Sequence, residues 1–186
     1  MEINRDIKGT RNSIMSLGEI YFWTDTIHDW KPLLQSDKYK NVIIESLRHL
    51  VEQGKITIYG FVIMPNHRHL LWELVAMNGK EMPQASFNKF TSHQFLNLLR
   101  NERLLSFFKV EDKTERAHRF WQRNPLVVLM NSKEKLEQKL DYIHYNPLQE
   151  HWNLATTPEN YYWSTARYYE EGIDDFKFLT HYRDKI

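Results

Sequence analysis

The stretch Ile58-Tyr59-Gly60-Phe61-Val62-Ile63-Met64-Pro65-Asn66-His67-Arg68-His69-Leu70-Leu71-Trp72 decides the fold. Both halves are rich in β-branched and aromatic residues, and Pro65-Asn66 interrupts them with turn chemistry. The pattern predicts two strands joined by a tight turn, the second starting near His67. Side chains alternate faces along a strand, so His67 and His69 point one way and Arg68, Leu70 and Trp72 the other. Strand rise sets the two histidine Cα atoms about 6–7 Å apart. Two imidazoles on one face can grip one divalent cation. An isolated His-x-His is also common on ordinary strand faces, so the pair gains meaning only from what lies elsewhere in the chain.

Outward from this hairpin, the chain reads as alternating elements. Residues 19–27 carry Ile20, Tyr21, Phe22, Trp23, Thr24, Thr26 and Ile27, which is strand composition. Residues 37–53 place Val42, Ile43, Leu47, Leu50 and Val51 at helical spacing, and Gly54 supplies a stop. After a loop at 78–84, residues 85–105 repeat Phe87, Phe90, Phe95, Leu98, Leu99 and Leu105, predicting a second helix with Ser86 as a candidate N-cap. Residues 109–119 are charged and are read as a loop. Phe120-Trp121-Gln122 is read as extended, and 126–130 as the next strand. Residues 1–17 show no period and read as an arm or a short edge element. The expected order is strand, helix, strand, strand, helix, strand.

A third helix opens at Lys133 with Ser132 as its N-cap. Leu136, Leu140 and Ile143 make its apolar stripe; Lys135, Gln138, Lys139, Tyr142 and Asn146 share another face. Pro147 disfavours helix at Asn146, so the helix is expected to end there. Most tyrosines at such positions are amphipathic residues at a core boundary. By composition alone, His144 and Tyr145 are as eligible for chemistry as Tyr142.

Composition bounds the answer. The 186 residues suit one domain, with a core over about 19–150 and a wrapping segment over about 151–186. The absence of cysteine excludes disulfides, thiolate metal sites and cysteine nucleophiles. No signal-like or long apolar run occurs, which predicts a cytoplasmic protein without a membrane partner. The net charge is only +1, yet residues 86–125 carry an excess of four positive charges. Arg100, Arg103, Arg116, Arg119 and Arg123, with Lys139, are the candidate DNA-binding residues, and Phe120 and Trp121 are candidate base-stacking partners, a core role being the stronger reading for both.

Together, Met64-Pro-Asn-His-Arg-His-Leu-Leu, the aromatic helix, Phe120-Trp121-Gln122, Tyr142-Ile-His-Tyr-Asn-Pro147 and Trp163-Ser164 resemble the single-tyrosine HUH transposases, best the REP-associated tyrosine transposases. The resemblance spans about 20–169. It implies an α+β fold with a ferredoxin-like βαββαβ core, a central antiparallel sheet and helices on one face. It implies a metal-dependent enzyme that cleaves and rejoins single-stranded DNA at hairpin-type sites through a 5′-phosphotyrosine. By resemblance Tyr142 is the nucleophile, and His67, His69 and Asn146 hold Mg²⁺ or Mn²⁺. A homodimer is one assembly the resemblance allows. One departure stands out: the family usually has a bulky apolar residue between the histidines, and here it is Arg68, which faces away from the metal side and is expected to leave the ligands intact, the alternatives being weakened strand packing or a DNA contact. The competing readings are a domesticated, non-catalytic nucleic-acid-binding protein on the same fold and a histidine metallohydrolase independent of Tyr142.

Overall fold

The computed structural model describes residues 10–11, 15–108 and 118–185. Its strands are β1 (Thr10–Arg11), β2 (Ile20–Thr26), β3 (Ile56–Ile63), β4 (His67–Leu74) and β5 (Leu126–Leu129). Its α-helices are α1 (Asp37–Glu52), α2 (Pro83–Asn101), α3 (Lys133–Tyr145) and α4 (Ala166–Glu171). The sheet order is β1-β5-β2-β4-β3, antiparallel throughout. The elements from β2 to β5 run β-α-β-β-α-β, the ferredoxin-like α+β arrangement that the sequence predicts, with α3 and α4 following.

The β3–β4 turn closes as the sequence suggests. Met64 N–H donates to the His67 carbonyl at 2.8 Å, enclosing Pro65-Asn66. Asn66 then accepts from Ile27 N–H at 2.8 Å, tying the turn to the end of β2. The β2–β4 register sets Thr24 opposite His69 and Thr26 opposite His67. These residues therefore share one sheet face, and Trp23, Asp25, Arg68 and Trp72 share the other.

The two core helices pack on the second face. Phe87 of α2 meets Trp72 at a ring separation of 5.9 Å, and Tyr39 of α1 meets Phe95 of α2 at 5.7 Å. The third helix, α3, lies across the first face through Leu136, Leu140 and Ile143, all buried. Its approach explains Gly60. A Cβ there would stand 2.6 Å from Leu140 Cδ1 and 3.2 Å from Ile143 Cδ1.

Several boundaries differ from expectation. Helix α2 starts at Pro83 with Met82 at the cap, because proline is preorganised for the first helical turn. Ser86 is inside the helix, its hydroxyl donating to the Pro83 carbonyl at 2.9 Å. The same helix stops at Asn101 rather than 105, since Arg103 takes a left-handed φ of 61°. Asn146 keeps helical angles (φ −57°, ψ −44°) despite Pro147, and the chain tightens into the 3₁₀ turn Asn146–Leu148.

The segment after Trp163 covers the free edge of β3. Ile63 N–H donates to the Trp163 carbonyl at 2.9 Å, and Thr180 N–H to the Ile58 carbonyl at 3.0 Å. A covered edge cannot template strand pairing with another chain. Among the described residues, no helix is long and apolar enough to cross a membrane.

Candidate active site

One pocket of about 320 Å³ opens where the first sheet face meets α3. β2 contributes Phe22, Thr24 and Thr26; β4 contributes His67 and His69; α3 and its following turn contribute Lys139, Tyr142 and Asn146. Leu126 of β5 closes one wall, while Trp30, Gln149, His151 and Trp152 border the pocket from two loops.

The alternation of β4 turns both imidazoles into this pocket, with ring centroids 4.9 Å apart. Each has its orientation set by a neighbour. Asn66 Nδ2 donates to the Trp30 carbonyl at 3.3 Å, so its Oδ1 faces His67 Nδ1 at 2.7 Å. An amide oxygen only accepts, so Nδ1 of His67 carries the proton and Nε2 the lone pair. His69 Nδ1 lies 2.7 Å from Thr24 Oγ1, and Asn146 Nδ2 donates to His69 Nε2 at 3.1 Å. This too places the proton on Nδ1 and the lone pair on Nε2. An oriented imidazole whose second nitrogen is hydrogen-bonded is the usual support of a metal ligand.

Both imidazoles are held neutral, the form that ligates metals. Burial, with His151 adding to it, pushes His67 down to about 4. His69 lies well below the usual histidine range, through burial first and then the proximity of His67 and Lys139.

Tyr142 lies over His69 at a ring separation of 5.3 Å and meets the edge of Phe22 at 6.1 Å. Burial raises its phenol, while a hydrogen bond with Asn146 pulls the other way. Lys139 Nζ sits 4.7 Å from the Phe22 ring and 5.3 Å from the Tyr142 ring, and burial lowers its ammonium. Tyr145, by contrast, is 59% exposed, and His144 turns to the other side, its Nε2 2.9 Å from Thr165 Oγ1. Of the three candidates that composition leaves open, only Tyr142 lines the pocket.

A cation can be tested against this donor set. Asn146 Oδ1 is buried without a hydrogen-bond partner, beside two neutral imidazoles. That orphaned oxygen is what a third ligand would look like before binding. Among the described residues, no group of three His, Cys, Asp or Glu side chains could hold a metal. The fit therefore depends on an amide, a hard oxygen donor that suits Mg²⁺ or Mn²⁺.

Arg68 behaves otherwise than a DNA contact. It is fully buried on the opposite sheet face, with Nη2 2.9 Å from Asp25 Oδ2 and a further hydrogen bond to Asn88. Its guanidinium is sandwiched between Phe87 (4.1 Å) and Trp121 (3.9 Å). Burial brings it down to about 10, with Asp25 opposing the shift, so it stays charged at neutral pH. Strand packing is thereby built around the ion pair rather than weakened.

The basic candidates divide. Lys139 lines the pocket. Arg100 and Arg103 are exposed at the C-terminal end of α2, the helix on the opposite sheet face. Arg119 and the exposed Arg123 flank Trp121 and Gln122, whose N–H donates to the carbonyl of pocket-lining Thr26 at 2.8 Å. Arg116 lies outside the described residues, as does most of the predicted charged loop. Phe120 and Trp121 are 3% and 7% exposed and belong to the core, against Phe95 and Phe108, so they offer no stacking surface. Sequence reasoning missed Thr24, Trp30, Gln149, His151 and Trp152. In the sequence, Trp30 is one tryptophan between β2 and α1, with nothing to mark it as exposed.

No family model matches the chain, and no curated protein does. Among solved structures, the chain is similar to a REP-associated tyrosine transposase bound to a REP hairpin, with a TM-score of 0.58 and 17% identity over 93% of this chain and 92% of that one. A candidate transposase from Deinococcus radiodurans R1 overlaps with a TM-score of 0.41 and 16% identity, over 80% of this chain and 100% of that one. The first likeness establishes a shared fold across nearly the whole chain.

Proposed function

We propose that this chain is a transposase that cleaves and rejoins single-stranded DNA, with Tyr142 as nucleophile. The observation that carries the reading is the convergence of Tyr142, His67, His69 and the unpartnered Asn146 Oδ1 on one pocket. The shared fold with a hairpin-bound transposase supports it, and makes DNA with hairpin or repeat character the expected substrate.

In this reading the Tyr142 oxygen attacks a phosphodiester phosphorus. A tyrosyl ester bond forms, the bond to the 3′ oxygen breaks, and the proton lost by the phenol is matched by the one gained by the released 3′-hydroxyl. One ester replaces another, so rejoining needs no nucleotide cofactor. His67, His69 and Asn146 would hold Mg²⁺ or Mn²⁺, which when bound supplies Lewis acidity to a phosphate oxygen. Tyr142 is fixed between Phe22 and His69, and Lys139 offers positive charge next to both the phenol and the incoming phosphate. A buried phenol with a raised pKa is a poor nucleophile by itself, and a nearby cation offsets that penalty.

The test is incubation with a pool of single-stranded hairpin oligonucleotides and Mn²⁺, followed by denaturing gels and peptide mapping of any adduct. The wild-type chain and Tyr145→Phe are expected to give an adduct mapped to Tyr142, and Tyr142→Phe none. A phosphotyrosine at Tyr145, or a fully active Tyr142→Phe, overturns the assignment.

A further inference from the structure

Two tryptophans border the pocket mouth: Trp30 outside the core, and Trp152, partly buried, packed against it. Trp30 is 59% exposed and stands 6.3 Å from the His67 ring, while the half-buried Trp152 stands 5.7 Å from the same ring. Both come from loops with left-handed backbone at non-glycine residues: Asp29 (φ 58°), Trp30 (φ 56°) and Asn153 (φ 45°). Such angles cost of order 1–3 kcal/mol each and persist where the surroundings enforce them. Here the enforcement is visible. The Trp30 carbonyl accepts from Asn66 Nδ2 at 3.3 Å, and its N–H donates to the Ile27 carbonyl at 2.9 Å. Trp152 N–H donates to the Gln149 carbonyl at 2.8 Å. The side chain that fixes the His67 tautomer thus also holds the Trp30 backbone.

Leaving a tryptophan exposed forgoes one of the largest apolar burials available to a folded chain. The loop spends that area at the rim of a pocket containing a candidate phosphate-binding centre, next to Lys139. Single-stranded nucleic acids are bound in this way, through positive charge for the phosphates and aromatic faces for the bases.

We infer that Trp30 and Trp152 form a stacking platform for an unpaired nucleobase of single-stranded DNA, adjacent to the phosphate that enters the His67–His69 pocket. The inference rests on the proposed DNA-cleaving function and adds the feature of the substrate read at the rim: a base with a free π-face. A paired base, stacked within its duplex, presents no such face. The platform requires the strand to be open beside the point of cleavage.

The chain supplies its own probe. Of its six tryptophans, Trp23, Trp72, Trp121 and Trp163 are buried, so stacking-induced quenching of fluorescence reports Trp30 and Trp152. The full chain is titrated with oligothymidylate and with a strand of equal length whose bases are replaced by tetrahydrofuran. The thymidylate strand is expected to quench, and the abasic strand to bind about tenfold more weakly without quenching. Trp30→Ala and Trp152→Ala should each lose a large share of the quenching and approach equal affinity for the two strands, with circular dichroism melts showing that both fold. Quenching and base discrimination that survive unchanged in both variants overturn the platform. Covalent adduct formation by the wild-type chain is scored separately. An adduct with unchanged discrimination in the variants removes the platform alone; lost discrimination without any wild-type adduct supports the platform and removes the transesterification reading.

Discussion

Asn146 Nδ2 lies 3.1 Å from His69 Nε2, although 77 positions separate the two residues. The contact joins the strand carrying the imidazoles to the helix carrying the phenol. It also leaves Asn146 Oδ1 buried with no partner. A cation accepted between these groups would bind the folded chain and have no counterpart site in the unfolded one.

Mn²⁺ should therefore raise the melting temperature. Saturation at a hundredfold over the dissociation constant contributes about 2.7 kcal/mol, which is several degrees for a chain of this size. His67→Ala and Asn146→Ala should lose the shift, and the His67→Ala/His69→Ala double variant should lose Mn²⁺-dependent cleavage while still folding. A shift of unchanged size in the single variants, or cleavage at the normal rate in the double variant, removes the metal assignment.

The Arg68–Asp25 pair gives a second expectation. Both side chains are 1% exposed, so removing one partner strands a buried charge. Asp25→Ala should cost about 3–5 kcal/mol in urea unfolding, and Asp25→Leu combined with Arg68→Met should recover much of that loss. An Asp25→Ala variant within 1 kcal/mol of the parent, by the same order-of-magnitude reasoning, would show that the pair is not buried as described.

Gly60 sets how closely α3 approaches the sheet. Gly60→Ala inserts a methyl 2.6 Å from Leu140 Cδ1, which should destabilise by about 1–3 kcal/mol. Because Tyr142 rides on the same helix, adduct formation should fall as well. Adding Leu140→Val should restore part of both; stability and adduct yield equal to wild type in Gly60→Ala alone would contradict the close approach.

The buried imidazoles predict an acid limit to stability. Burial pushes His144 down to about 4, and burial with His151 does the same to His67. An unfolded histidine titrates near 6.5, so on acidification the unfolded chain takes up the proton first. Stability is complete above about 6.5 and declines as pH falls toward about 4, by about 3 kcal/mol for each such histidine. His144→Gln should flatten that decline in melts taken across this window. An identical slope in the variant would place the titration elsewhere.

The sequence by itself determined the order of elements and the face on which each candidate side chain sits. Period two put His67 and His69 together and sent Arg68 away from them; helical spacing put Tyr142 with Asn146 and left Tyr145 on a flank. These are local properties of the backbone, written in any short run of residues. Which face meets which is not local. Only the tertiary structure placed α3 over the histidine face and brought Asn146 to His69. It also put Phe120 and Trp121 in the core, the stronger of their two readings, and left Trp30 exposed, which no pattern in the sequence marks. Aromatic residues carry the same hydrophobic signal whether they fill a core or line a rim. The difference is made by how much space the neighbouring elements leave, and that is decided when strands and helices from distant parts of the chain pack together.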